Sequence, residues 1–274
     1  MLRASGTFVN LFLLAGTTLL LIFIVLAGSV NHFPFNRFEW LRADTSQIEG
    51  AYGESKWFFW GVCDASNLSN CMTGPAYPIS PNRNFGTEQG VPSDFINDDS
   101  TFFYLSRFAF AFLIIGFIFT ALAFIVDMAG FCFDFIERIV IILVTLALFF
   151  IAGFAAFQTS VAVLARNAFK DENLSAKLGV KGFAIMWTAV ACLAIIWFIT
   201  CANNIATSYK KHIENVRGSE GGYYPQGPQD GGELADDSSF TRSVPVEKDA
   251  NAGSGGIRFF RIKRNQKPSD EESV

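Results

Sequence analysis

Long apolar blocks alternate with polar segments along this chain. The blocks cover residues 8–30, 108–126, 139–163 and 183–202. None of them contains Asp, Glu, Lys, Arg or His, and the main polar side chains are Asn10, near the start of the first block, and Gln158, near the end of the third. A helix needs about 20 apolar residues to cross a hydrocarbon core of roughly 30 Å, and charge-free runs of this length are rare in soluble proteins. The pattern therefore predicts four transmembrane helices.

The first block has an alternative interpretation, a cleaved signal peptide. Arg3 precedes the block, and Ala27-Gly28-Ser29 resembles a small-residue cleavage site. The apolar run is longer than the roughly 7–15 residues that are usual in a signal sequence. We therefore interpret the block as a transmembrane helix. With or without cleavage, the C-terminus is expected on the cytoplasmic side.

Features of the polar segments indicate which side of the membrane each loop faces. Cys63 and Cys71 lie in the first long loop with the glycosylation pattern at Asn67 between them, and a second pattern begins at Asn173 after the third block. Disulfides and N-glycans both require the cell exterior or the secretory lumen. The basic residues of the second loop favour the opposite orientation. The assignment therefore rests on the cysteines and on the family resemblance described below.

These assignments predict an all-α membrane protein: a four-transmembrane-helix bundle with a disulfide-bearing extracellular loop and a disordered cytosolic C-terminal tail. The remaining predicted segments are the cytosolic N-terminus (1–7), extracellular loop 1 (31–107), the cytosolic loop (127–138), extracellular loop 2 (164–182) and the cytosolic tail (203–274). The tail is rich in Gly, Pro, Ser and acidic residues. Such a composition buries too little apolar surface to offset the entropy of ordering the chain.

The last part of the tail has a different composition. Residues 257–267 interleave basic and apolar side chains. The predicted lipid-binding residues are Arg258, Phe259, Phe260, Arg261, Lys263, Arg264 and Lys267. Each basic residue near an anionic leaflet contributes about 1 kcal/mol, so we expect this basic patch to bind anionic membrane or a lipid-binding scaffold; a solvated tail is the alternative. Phosphate on Ser269 would add negative charge beside the patch and weaken that contact.

The stretch Trp57-Phe58-Phe59-Trp60-Gly61-Val62-Cys63, followed by Cys71, is the most informative part of the first loop. A bridge between the two cysteines would stabilise the loop by about 2–3 kcal/mol. The two tryptophans are expected either to pack on the bridge or to lie at the membrane interface, where amphipathic rings are favoured.

Composition and charge argue against several function classes. The formal net charge of −4 weighs against nucleic-acid binding. Two histidines and five cysteines provide little material for a metal centre, and the carboxylates of the first loop have no partnered nucleophile and base. We therefore expect no metal, no cofactor and no enzymatic activity. The 31 phenylalanines suit a lipid-facing surface.

A small-solute transporter or channel is the main alternative function. Transporters usually carry ionisable residues or broken helices within the membrane. The charged residues Asp127, Asp134, Glu137 and Arg138 instead lie together between the second and third blocks. We interpret them as a solvated connector.

Small residues recur at four-residue spacing in two of the predicted helices. They are Ala152, Ala156 and Ser160 in the third and Ala184, Thr188 and Cys192 in the fourth. Such faces allow two helix backbones to approach closely. The alternative is that alanine is simply common in membrane helices.

Several sequence blocks resemble a known family. The Trp-x-x-Cys…Cys pattern after the first helix is loosely similar to the claudin-type tetraspan signature. The blocks that resemble the fungal eisosome tetraspan family, the Sur-seven/PalI type, are residues 32–40, 57–63, 75–81, 103–107, 175–179 and 256–263. They follow one order over nearly the whole chain, and Trp57, Trp60 and Gly61 form the family motif of the first loop.

The resemblance implies a structural protein of the fungal plasma membrane, located in static cortical patches. It implies roles in organising eisosome-associated membrane domains, in endocytosis, in cell-wall integrity and in sphingolipid and phosphoinositide balance. The implied partners are anionic plasma-membrane lipids, sphingolipids, eisosome scaffold proteins and further copies of the chain, and both termini are expected in the cytosol. A claudin-like adhesion protein that contacts the cell wall is a further alternative.

Overall fold

The structure is a computed structural model, and it describes residues 2–30, 32–130 and 136–220. Its helices are α1 (Leu2–Leu26), α2 (Pro81–Phe85), α3 (Ser93–Asn97), α4 (Asp99–Ala129), α5 (Ile136–Asp171) and α6 (Val180–Glu220), with a 3-10 turn at Phe35–Arg37. Its strands are β1 (Leu41–Asp44), β2 (Glu54–Phe58), β3 (Gly61–Asp64), β4 (Cys71–Thr73) and β5 (Ala176–Leu178). We call the end of the long helices that carries the strands the loop side, and the opposite end the tail side.

Helices α1, α4, α5 and α6 are each long and apolar enough to cross a bilayer. This finding confirms the predicted four-helix membrane fold. Helices α4 and α5 approach closely where glycine removes a side chain: a methyl group on Gly116 would lie 2.5 Å from Cδ1 and 3.2 Å from the backbone nitrogen of Ile151. On the other helix, a methyl group on Gly153 would lie 2.7 Å from the ring of Phe112.

Four of the six small residues that were predicted to line helix contacts face outward, and the other two, Ala152 and Cys192, are half-buried. Ala156, Ser160, Ala184 and Thr188 are exposed in this chain, so the prediction that they bring helices together within the bundle is wrong. The buried small residues of α5 include Ala147, Ala155 and Ala162. Alanine occurs on several faces of α5, so its spacing alone does not identify the face that packs.

Helices α4, α5 and α6 continue beyond the predicted ends of their apolar blocks. Residues 203–220, predicted as the start of the disordered tail, instead continue α6. This stretch has no proline and its first glycine is Gly218, so little in its composition opposes a helix. Helix α5 continues to Asp171 because Ala165, Ala168 and Phe169 are buried on the loop side.

A five-stranded sheet covers the loop side, in the order β4-β3-β2-β1-β5. All four strand pairs are antiparallel. The predicted all-α description omits this sheet, because strands of three to five residues are too short for a period of two to stand out. The fifth strand comes from the second loop, and it joins the edge of β1.

One face of the sheet packs on the helices and the other faces away. Leu41 and Ala43 of β1 and Trp57 of β2 are buried, whereas Arg42 and Lys56 alternate with them and stay partly exposed. This alternation follows from the two-residue period of a strand. The sheet therefore presents an apolar inner face to the bundle and a charged outer face.

Candidate functional site

The family motif of the first loop forms the tip of a hairpin that enters the helix bundle. Strands β2 and β3 pair from Ser55↔Asp64 to Phe58↔Gly61, so Phe59 and Trp60 form the two-residue turn between them. The Trp60 Nε1–H donates a hydrogen bond of 2.6 Å to the backbone oxygen of Val25, in the last turn of α1. The final carbonyls of a helix have no partner within the helix. Trp60 therefore satisfies one of these groups and fixes the hairpin to α1.

Phe59 lies in an aromatic cluster that joins the sheet to the helices. Its ring centroid lies 4.9 Å from that of Trp40, 5.5 Å from that of Phe110 and 5.9 Å from that of Phe154. Trp40 also lies 5.5 Å from Phe183, at the start of α6. Aromatic pairs at these separations contribute about 0.5–1.5 kcal/mol each beyond the area they bury. The cluster thus connects one sheet to α4, α5 and α6.

Trp57 occupies the centre of the contact between sheet and helices. Its side chain is fully buried, its Nε1–H donates to Oδ1 of Asn84 at 2.8 Å, and its ring centroid lies 5.9 Å from that of Phe169 in α5. The prediction placed the two tryptophans on the disulfide or at the membrane interface. Trp57 instead forms part of the core between sheet and bundle, because it lies on the buried, apolar face of β2.

Cys63 and Cys71 form a disulfide, as predicted. They lie directly opposite each other on β3 and β4, in a ladder that also pairs Gly61 with Thr73. A side chain at Gly61 would overlap the backbone oxygen of Met72. The short strand β4 is thus held to the sheet by the disulfide and by close backbone packing at the glycine.

Removing the disulfide should destabilise the loop-side sheet. For the Cys63→Ser/Cys71→Ser double variant, we expect a loss of about 2–3 kcal/mol in the free energy of unfolding, from the small loop that the bridge closes. Thermal unfolding of the purified chain in detergent measures the loss. Cys192, a free cysteine in α6, supplies the matched control, and Cys192→Ser should leave the melting temperature nearly unchanged. Equal melting temperatures for the double variant and the wild type would contradict the expectation.

Both predicted glycosylation residues are exposed on the loop side. Asn67 lies between β3 and β4, and its Oδ1 accepts a hydrogen bond of 3.1 Å from the backbone N–H of Ser69. Asn173 follows α5 and has a positive φ of 61°. Their positions place both acceptor patterns on one side of the bundle. Their modification stays a prediction.

We expect glycan attachment at both positions when the chain is expressed in a fungal cell. The variants Asn67→Gln and Asn173→Gln should each migrate faster in electrophoresis, by the shift that corresponds to the loss of one N-glycan. The double variant should migrate like the wild type after enzymatic deglycosylation. Asn70 is exposed but has no acceptor pattern, so Asn70→Gln is the matched control. Unchanged mobility in both single variants would argue against the extracellular placement of the loop side.

A polar cavity lies at the tail side of the bundle. Asn10 of α1, Asp127 of α4, Glu137 of α5, and Thr200 and Asn203 of α6 line it. Asn10 is 4% exposed and Asp127 is 5% exposed, and one oxygen of each has no hydrogen-bond partner within residues 2–30, 32–130 and 136–220. The cavity measures about 20 Å³, enough for one water molecule. The interpretation of Asp127 as part of a solvated connector is wrong, because α4 continues past it and carries it into the bundle.

Sequence reasoning missed Trp40 and Phe59 as well as the burial of Asp127. For Trp40 a weak signal was present, because the next four residues, Leu41-Arg42-Ala43-Asp44, alternate apolar and polar positions. For Phe59 no such signal exists, because it lies in the turn between β2 and β3. The predicted basic patch at 257–267 and the predicted phosphorylation residue Ser269 lie outside the described residues.

The fold and site define a class: a four-helix membrane protein whose loop side carries an anchored, disulfide-bridged antiparallel sheet. The family model described as "SUR7/PalI family" matches residues 6–199. This chain belongs to the SUR7/PalI family. The result confirms the resemblance found in the sequence blocks.

Curated relatives match the chain over nearly its whole length. "Protein SUR7" of Candida albicans (strain SC5314 / ATCC MYA-2876) is 55% identical over 274 residues, which cover 100% of both chains. "Protein SUR7" of Saccharomyces cerevisiae (strain ATCC 204508 / S288c) is 32% identical over 292 residues, covering 97% of this chain and 96% of the relative. "Uncharacterized plasma membrane protein YNL194C" of the same yeast strain is 31% identical, covering 95% of this chain and 88% of the relative.

Proposed function

We propose that this protein is a structural, non-catalytic component of the plasma membrane that organises eisosome-associated membrane domains in static cortical patches. In this proposal the loop side faces the cell exterior and both termini face the cytosol. Roles in endocytosis, cell-wall integrity and sphingolipid and phosphoinositide balance follow from that organisation. The observation that carries the proposal is the fixed connection between the loop-side sheet and all four long helices.

The connection supports a scaffold because buried or half-buried side chains and backbone groups make the contacts on each of the four long helices. Trp60 binds the end of α1, Phe59 contacts rings on α4 and α5, and Trp40 contacts α6. Packed interiors of this kind resist deformation. A sheet held in this way presents a fixed surface to neighbouring molecules, which is what a domain-organising protein requires.

The tail-side cavity weighs against the passage of a solute through it. Its volume is about 20 Å³, which is room for one water molecule. Gln158, the polar residue noted in the third block, is buried in α5 but is uncharged, whereas transporters usually carry ionisable residues within the membrane. A flux assay with the purified chain in sealed vesicles addresses the transport alternative, and we expect solute flux no greater than through protein-free vesicles.

The proposed partners are anionic plasma-membrane lipids and eisosome scaffold proteins on the cytosolic side. The predicted basic patch at 257–267 is the proposed contact, and phosphorylation of Ser269 is the proposed means of weakening it, because added negative charge repels an anionic leaflet. Self-association and a claudin-like contact with the cell wall would use the loop side.

Localisation of a C-terminal fluorescent fusion tests the proposal. We expect stable cortical patches that persist over minutes. Two matched fusions separate the contributions of the two sides: one lacks residues 221–274, and the other carries a foreign first loop. A full-length fusion that spreads evenly along the plasma membrane or stays on internal membranes would contradict the domain-organising function.

A further inference from the structure

The outer face of the sheet forms part of a basic groove. We define the basic groove by Arg37, Arg42, Lys56 and Lys181, which line it together with Glu39. Its volume is about 470 Å³, within the range of small-molecule sites. The chain as a whole has a formal net charge of −4. The positive charge of the groove is therefore a local feature, opposite in sign to the net charge of the chain.

Three cations of the sheet stand side by side across neighbouring strands. The register places Arg42 of β1 directly opposite Lys56 of β2 and also directly opposite Lys177 of β5. Like charges in directly opposed positions destabilise a sheet. An anion on this row would therefore reduce a repulsion that the fold itself creates.

The carboxylates near the row offset only part of this charge. Glu54 accepts two hydrogen bonds from Arg42, at 2.6 Å from Nε and 2.5 Å from Nη2. This pairing lowers the pKa of Glu54, chiefly through the side-chain hydrogen bonds from Arg42, so Glu54 stays ionised at mildly acidic pH. Glu54 orients Arg42 and neutralises it, while Lys56 and Lys177 act on Glu54 only through longer-range attraction.

The basic groove lies at the loop-side ends of two of the long helices. Arg37 follows Phe35, whose ring centroid lies 5.8 Å from that of Phe23 in the last turns of α1. Lys181 is the second residue of α6, and the backbone N–H of Gly179, just before that helix, donates to the oxygen of Trp40. The groove therefore opens beside the loop-side ends of two transmembrane helices.

Apolar side chains also line the groove. Val180, which is 76% exposed, lines it together with Leu68 and Leu178. An exposed apolar side chain is more favourable in contact with acyl chains than in contact with water. Their position beside the cations gives the surface an apolar part and a cationic part, which matches a lipid with acyl chains and an anionic headgroup.

We propose that the basic groove binds the phosphodiester headgroup of an anionic lipid in the leaflet on the loop side, with the acyl chains lying along α1 and α6. Lys56 and Lys181 supply the main charge for the phosphate, since Arg42 is already paired with Glu54. Arg37 closes the groove from the α1 side. The inference deepens the proposed function, on which it rests for the plasma-membrane setting, by assigning a lipid class to the loop side.

Lipid titration of the purified full-length chain tests the proposal at about 0.15 M salt, where remote charges are largely screened. Native mass spectrometry compares phosphatidylinositol, which carries a phosphodiester with one net negative charge, with zwitterionic phosphatidylcholine. The groove variant is Lys56→Gln/Lys181→Gln. The matched control is Arg166→Gln/Lys170→Gln, which removes the same charge from the loop-side end of α5. Both variants keep residues 257–267, so any lipid binding by the tail is the same in all the chains that are compared.

We expect the groove variant to bind phosphatidylinositol on the order of tenfold more weakly than the wild type and the control. Phosphatidylcholine should bind equally weakly to all three, and millimolar inorganic phosphate should not compete. The groove variant should fold, because neither Lys56 nor Lys181 is buried. Arg37→Gln, outside the sheet, provides a second variant and should weaken binding in the same direction.

Three results would overturn the assignment: unchanged phosphatidylinositol binding in both groove variants, equal binding of phosphatidylcholine to the wild type, or full competition by free phosphate, which would indicate a soluble anion. The outcome is separate from the localisation test. A groove variant that loses lipid binding but still forms patches supports the groove, and a wild-type chain that binds lipid through the groove but forms no patches contradicts the proposed function alone.

Discussion

Replacing Trp57 by alanine should lower the free energy of unfolding by about 3–5 kcal/mol, because the change removes a large, fully buried side chain and leaves a cavity between sheet and bundle. It also leaves Oδ1 of Asn84 without the indole donor. Thermal or denaturant unfolding of the purified chain in detergent measures the loss. The midpoint should fall well below that of the wild type.

The matched control is Trp187→Ala. Trp187 lies on α6 and is 48% exposed, so its loss should change stability by less than 1 kcal/mol or so. A third variant, Trp57→Phe, keeps a six-membered ring but removes the rest of the indole together with its hydrogen bond, so its expected cost is intermediate, about 1–3 kcal/mol. If Trp57→Ala and Trp187→Ala unfolded at the same midpoint, the sheet would not be packed on the bundle as described.

Gly61→Ala should destabilise the loop-side sheet by about 3 kcal/mol or more. Overpacking usually costs about 1–3 kcal/mol when neighbouring side chains can adjust. Here the added methyl group would overlap the backbone oxygen of Met72 and lie 3.1 Å from Cα of Thr73. Backbone atoms of β4 would have to move, and the disulfide from Cys71 to Cys63 restricts that movement. The same unfolding measurement checks the result.

Gly53→Ala is the control for this prediction. Gly53 lies in the same loop, and a methyl group there would meet no atom within 4 Å. Its substitution should leave stability unchanged or raise it slightly, since alanine reduces the entropy of the unfolded chain. A Gly61→Ala variant as stable as Gly53→Ala would show that β4 does not lie against the hairpin in the way the structure describes.

The helices could be predicted from the sequence because each apolar block satisfies a strong physical requirement. A segment in hydrocarbon must be apolar, must be long and must bond its own backbone. The ends of α4, α5 and α6 could not be predicted in the same way. Beyond the hydrocarbon, helix length depends on packing, as for Phe169 beneath the sheet, and on local propensity, as for residues 203–220.

The sheet and the contact of its Phe59-Trp60 turn with the helices were harder to predict. Strand β5 pairs with β1 across more than 130 residues of chain, and no local pattern specifies such a contact. The disulfide could be predicted because the first loop carries two cysteines eight positions apart. The burial of Asp127 could not, since the end of an apolar run does not show whether the next carboxylate turns toward water or toward the bundle.

The pairing of β5 with β1 limits how the helices can move. Strand β1 follows α1 in the chain and β5 immediately precedes α6, so the ladder Leu41↔Leu178, Arg42↔Lys177 and Ala43↔Ala176 connects the two helices at their loop-side ends. Sliding or rotating α1 against α6 at that end would break backbone hydrogen bonds. Thermal motion that keeps the ladder intact can separate the two helices only at their tail-side ends, so changes in shape are expected in the tail-side half of the bundle.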